Sequence, residues 1–121
     1  MPQYRPAHTI TVVAAGAINP KRFVSFAGAQ AGEGAAAIGV TQFGAKAAGR
    51  SCEVVCLGTA VVESGGAFSQ GDELSSDAEG KAVEAVAEGV INAIAMESAS
   101  GEGLEVEVFL VSPVAKAPAQ G

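Results

Sequence analysis

The chain has no tryptophan, one tyrosine, one histidine and two cysteines in 121 residues. Each scarcity removes a class of chemistry. A lone histidine, His8 in a Pro-rich opening segment, leaves a serine or cysteine triad without a well-placed base. No Gly-x-x-x-x-Gly-Lys-Ser/Thr phosphate loop and no Gly-x-Ser-x-Gly nucleophile turn occurs. Gly32-Glu33-Gly34-Ala35-Ala36-Ala37 falls short of a dinucleotide-binding loop and reads as a flexible connector. Cys52 and Cys56 lie about 13 Å apart on an extended strand, at about 3.3 Å per residue, which is too far for a disulfide. As a metal half-site they lack two further ligands, so two reduced, buried thiols are expected. Basic residues are also few: seven Lys and Arg against thirteen Asp and Glu give a net charge of -6. That balance argues against direct contact with nucleic acid. No run of about 18 residues is free of charge and turn signals, so neither a membrane-spanning helix nor a membrane partner is expected. The opening Met-Pro-Gln-Tyr-Arg-Pro has no apolar stretch of the secretory kind. No catalytic set, metal or cofactor is expected.

What the chain has in abundance is alanine and glycine, 25 and 16 residues. The large apolar types Val, Ile, Leu, Met, Phe and Tyr total 32. A small domain of this composition has a thin core, because alanine buries little area. Part of its stability is therefore expected from neighbours. Charged residues make up only 17% and the Val/Ile patterning is strong, which places the chain outside the disordered class.

The order of features repeats. A shift of 50 lays Thr9–Ile18 over Thr59–Phe68, and a shift of 52 lays Ala47–Val54 over Ala99–Val106. Pseudo-repeated halves at about 8–57 and 58–111 are expected within one domain, 9–111. An extended N-terminal arm (1–8) precedes it and a Pro/Ala-rich tail (112–121) follows; neither has much to bury on its own. Each half reads as short β-branched strands between turns. These are Thr9–Val13 and Thr59–Glu63, Phe23–Phe26 and Glu73–Ser76, Ile38–Thr41 and Ile91–Glu97, and Cys52–Leu57 and Leu104–Val111. In the last of these, Leu104, Val106 and Val108 alternate with Glu105 and Glu107, as a half-buried strand requires. Lys81–Met96 has some helical spacing, but Gly89 interrupts it and strands are preferred. Asp77 and Glu79 read as a turn. The predicted fold is a mainly β small barrel or sandwich.

Charge is divided unevenly. Residues 1–57 carry five basic and two acidic side chains, and residues 58–121 carry two basic and eleven acidic. Between the aligned halves, Lys21-Arg22-Phe23 becomes Gly71-Asp72-Glu73 and Arg50 becomes Glu102, so the sign reverses. A subunit interface in which a basic face meets an acidic face would use this reversal, since like-charge packings are penalised.

Several parts together resemble the cement, or head decoration, proteins of tailed bacteriophage capsids. They are Thr9–Val13 leading into Gly16-Ala17-Ile18, Ile38-Gly39-Val40, Ala47-Ala48-Gly49 to Val54, and the Asp77–Gly80 turn into Lys81-Ala82-Val83. Ala93–Glu97 before Gly101–Leu110 completes the set, and the likeness covers most of residues 8–111. The resemblance implies a non-enzymatic, β-rich virion protein made in the host cytoplasm. It would sit on the capsid exterior at junctions between capsomers, partnered by the major capsid protein and by copies of itself. A homotrimer is favoured, with a dimer as the alternative. Expected contact residues are Tyr4, Arg5, Lys21, Arg22, Phe23, Arg50 and Glu102, because Tyr and Arg commonly anchor interfaces. The competing reading is a small β-barrel ligand- or carbohydrate-binding accessory module, which needs an aromatic-lined groove from only six Phe and Tyr residues.

Overall fold

The structure, a computed structural model, describes residues 6–85 and 89–115, with side chains for residues 8–85 and 89–111. Eight strands follow one another: β1 (Pro6–Val13), β2 (Arg22–Ser25), β3 (Ala37–Thr41), β4 (Ser51–Glu63), β5 (Glu73–Ser76), β6 (Ala82–Glu84), β7 (Val90–Ala95) and β8 (Glu105–Ala115). They form one sheet in the order β2-β3-β4-β8-β7-β5-β6, with β1 also paired to β4, and every strand pair is antiparallel. Gly65 N donates to Ala82 O at 2.7 Å and Phe23 N donates to Gly80 O at 2.8 Å, so the sheet nearly closes on itself. The fold is a small β-barrel, and the described residues contain no helix. Lys81–Met96 carries β6 and β7, with residues 86–88 outside the described set.

The long strand β4 organises the barrel. Its first part pairs with β1 and β3, and its second part pairs with β8. Two strands were expected here, meeting at residues 57 and 58. The structure runs straight through, with Gly58 at φ +93° inside one 13-residue strand. That left-handed residue reverses which side chains face inward. Before it, Val54 and Cys52 fill a smaller core with Ala14, Ile18 and Val24, while Val55 points the other way into the main core. After it, the even-numbered Ala60 and Val62 enter the main core. Of the two free thiols, Cys52 is buried as expected and Cys56 is only partly covered.

Both ends of the barrel extend past the expected limits. β1 begins at Pro6, where Pro6 pairs with Gly58, and β8 reaches Ala115 through Val114–Ile91 and Ala115–Val90. Backbone pairing orders these segments, and proline is tolerated at the first residue of a strand. Leu104, expected inside, precedes β8 and is 41% exposed.

The main core contains Phe23, Leu74, Val40, Val62 and Val108, but also seven alanines, among them Ala31, Ala60, Ala82 and Ala93. Small side chains let backbones approach closely. Gly39 is the extreme case, since a Cβ there would collide with the Val55 carbonyl oxygen.

The two halves pair in the same register. Val13–Ser51 corresponds to Glu63–Glu105, Phe23–Val40 to Glu73–Ile94, and the isolated bridge Ile18–Ala45 to Phe68–Ala99. The first partner moves by 50 positions each time and the second by 54. The four added residues lie in the β5–β6 turn, because Val24–Gln30 already corresponds to Leu74–Glu84. The shift of 52 read from the sequence is therefore corrected to 54. Arg50, whose carbonyl accepts from Ala14 N, corresponds to Leu104, whose carbonyl accepts from Ser64 N. It does not correspond to Glu102.

Two buried amide side chains join the halves. The Gln42 amide donates to Val61 O at 3.0 Å and its oxygen accepts from Val61 N at 3.2 Å, standing in for a strand along the free edge of β4. Asn92, displaced at the β7–β8 bulge, donates to Ala35 O and accepts from Ala37 N, both at 3.0 Å. Gln42→Ala leaves two buried backbone groups without partners and is expected to cost about 2–4 kcal/mol. Denaturant unfolding reads this cost, and an unchanged midpoint would show that water replaces the amide.

Candidate functional site

The expected contact residues separate into three groups. Tyr4 and Arg5 lie outside the described residues. Phe23 and Arg22 are structural. Phe23 has 0% exposure in the main core, so it offers no surface to a partner. β2 runs between two cores, with Phe23 facing the larger and Val24 the smaller. Arg22 is 9% exposed and its terminal nitrogen contacts Glu63 Oε1 at 3.0 Å. A contact role for these two residues is therefore corrected to a role in holding the fold. Arg50 and Glu102 remain exposed and Lys21 partly so.

Lys21 is half-buried and its Nζ donates to the Gln42 carbonyl at 3.1 Å. Glu102 accepts from Lys81 Nζ at 3.0 Å. Lys81 also reaches Glu63 Oε2 at 3.4 Å and Glu79 at 3.6 Å. The Arg22–Glu63–Lys81–Glu102 chain thus spans both halves, and it consumes charges that the sequence offered for intermolecular use. Asp77 serves the turn beside it, where its Oδ1 accepts from Glu79 N and Lys81 N.

The network sets two titrations. Burial pushes the Glu63 carboxyl up, but the Arg22 hydrogen bond and charge, aided by Lys81, outweigh it and hold the group below its ordinary value. The hydrogen bond to Glu102 and the charges of Glu102 and Glu63 hold the Lys81 ammonium above its ordinary value, against the opposing effect of desolvation.

What remains on the surface are residues the sequence reading passed over. Phe43 and Val13 are 70% exposed, Phe26 67%, Leu57 55% and Phe109 50%. Phe43 stands beside Lys46 and Arg50 in a shallow depression of about 480 Å³. Phe109 was legible, since it continues the outward series of Glu105 and Glu107. Phe43 follows two buried residues, Thr41 and Gln42, and only the adjoining Gly44 hinted that the strand had ended there.

The chain is thus a nearly closed all-β body with several aromatic side chains left outside. The chain matches the family model of phage cement proteins over residues 3–110, and it belongs to that family. It is thus a structural protein associated with the phage capsid. In fold it is similar to the N-terminal base of head fiber gp8.5 of bacteriophage phi29. That comparison has a TM-score of 0.72 at 19% identity, covering 86% of this chain and 93% of that one. No curated protein matches the sequence.

The pH dependence follows from the network. Because the folded Glu63 titrates below its unfolded value, its contribution is full above the ordinary carboxylate range and is lost as pH falls through the lowered pKa. Lys81 contributes below its ordinary value of 10.5 and loses that contribution as pH rises through the raised one. Glu63→Gln is expected to flatten the acid limb of an unfolding-midpoint-against-pH curve and leave the neutral-to-alkaline limb less changed. An acid limb as steep as that of the wild type would contradict the assignment to Glu63.

Proposed function

We propose that the protein binds the outer surface of the phage head at junctions between capsomers and stabilises the assembled shell as a homo-oligomer, a trimer being favoured. The observation that supports this best is the exterior, which carries exposed Phe43, Phe26 and Phe109 together with Lys46 and Arg50, two cations with no partner among the described residues. Aromatic residues and arginine are the types that commonly anchor protein interfaces. The two halves, 8–57 and 58–111, are read as pseudo-repeats, supported by their common pairing register. They would give one chain two similar faces for neighbouring capsomers.

Stabilisation follows from linkage. A ligand that binds only the assembled lattice stabilises it by mass action, and an oligomer touching several capsomers gains avidity from individually modest contacts. No catalytic step is required, in keeping with a structural family.

The N-terminal arm, with Tyr4 and Arg5, is proposed as a capsid contact. Because β1 starts at Pro6, the deletion that spares the barrel ends at residue 5. Removing residues 1–5 is expected to abolish co-sedimentation with phage heads lacking their own cement protein, while the unfolding midpoint stays near that of the full chain. Undiminished occupancy of the heads would remove the arm from the account.

A further inference from the structure

Seven Lys and Arg residues are present. Among the five within the described residues, Lys21, Arg22 and Lys81 each have an intramolecular partner. Lys46 and Arg50 have none among the described residues, and both line the depression that holds the 70%-exposed Phe43. Two unspent cations beside an exposed aromatic ring form a basic face that complements an anionic hollow with an apolar floor.

Such a hollow exists at the corresponding corner of the second half. The first corner is built on the Ile18–Ala45 bridge and the second on its counterpart, Phe68–Ala99. The second corner holds a depression of about 750 Å³, floored by Phe68, Ala99 and Leu104 and rimmed by Asp72 and Glu84. Asp72 Oδ2 accepts from Ser69 N at 2.8 Å, which fixes the carboxylate at the rim, and Glu84 is exposed. The corners thus share a backbone plan and carry opposite charge: Lys46 and Arg50 in one occupy the positions of Ser100 and Leu104 in the other.

We infer that the Phe43–Lys46–Arg50 corner of one molecule docks into the Phe68–Leu104 hollow of a second copy of this chain, its cations facing Asp72 and Glu84. The inference rests on the self-association part of the function proposed above and names its surface. Charge complementarity selects this occupant, because two first-half corners or two second-half corners would bring like charges together. Each subunit contributes one basic corner and one acidic hollow, so the contact is head-to-tail and closes into a ring where the rotation allows.

Sedimentation equilibrium of the full chain over a range of concentration and salt tests this. The wild type is expected to be oligomeric, with dissociation promoted by salt. Phe43→Ala is expected to raise the dissociation constant about 30-fold or more, as for a central aromatic anchor. Lys46→Glu with Arg50→Glu, and separately Glu84→Lys with Leu104→Lys, are expected to give monomers with unchanged circular dichroism. In an equimolar mixture the second variant's unchanged corner meets the first variant's unchanged hollow, and the reversed charges of the other two faces are again opposite in sign, so oligomers are expected to return. An oligomeric wild type whose mass none of these variants alters would overturn the surface while leaving self-association standing. A wild type that is monomeric at every concentration would overturn both.

Discussion

The two buried amides of Gln42 and Asn92 are the constraint on which the rest of the barrel depends. β4 must serve two half-barrels at once, and beyond Gly58 its edge toward the first half meets no strand among the described residues. Gln42 supplies the missing donor and acceptor at Val61, and the Lys21 carbonyl accepts from Glu63 N one step further along. Asn92 does the same for the entrance to β3 from the opposite half. An unsatisfied buried backbone group costs about 1–3 kcal/mol, comparable to the gain from burying a whole aliphatic side chain. The amides therefore fix how the halves dock, and the apolar core then fills the space they define. With seven alanines in that core, little area is available to correct a misplaced edge.

The ion-pair chain has a similar origin. Arg22 leaves β2 next to Glu63 at the end of β4, and Lys81 enters from the turn before β6. Three strands that are distant in sequence meet at one carboxylate. The charges expected to speak to a neighbour are largely spent inside the subunit, and the exterior keeps Lys46, Arg50 and the aromatic side chains. For a family associated with the capsid, this division is useful: the ion pairs tie the two halves together, and the uncommitted groups face outward.

Much of the strand pattern was legible because β-branched clusters and the Glu105–Glu107 alternation express a period of two. The common order of turns in the two halves was legible, but the offset of their pairing register was not. Four extra residues in the β5–β6 turn are invisible when Ala and Gly match by chance on either side. That error placed Glu102 opposite Arg50, where the backbone places Leu104. Phe23 was misread for a different reason. Lys21-Arg22-Phe23 looks like a surface triplet, yet β2 is covered on both faces, so adjacent residues are both buried. Sequence periodicity assumes one solvated face and fails where a strand lies between two cores. Gln42 and Asn92 carried no signal at all, because a polar residue just past a strand is ordinarily solvated and the bulge that places Asn92 leaves no mark in the sequence pattern.

The role proposed for this protein is to bridge capsomers from outside the shell. Electron cryo-microscopy of purified heads reconstituted with the full chain tests it most directly. The expected result is added density on the outer surface at the junctions between capsomers, in clusters into which the barrel fits with its Phe43 corner against a neighbouring copy. Density confined to capsomer centres or to the inner surface, or heads that bind no protein at saturating concentration, would contradict it.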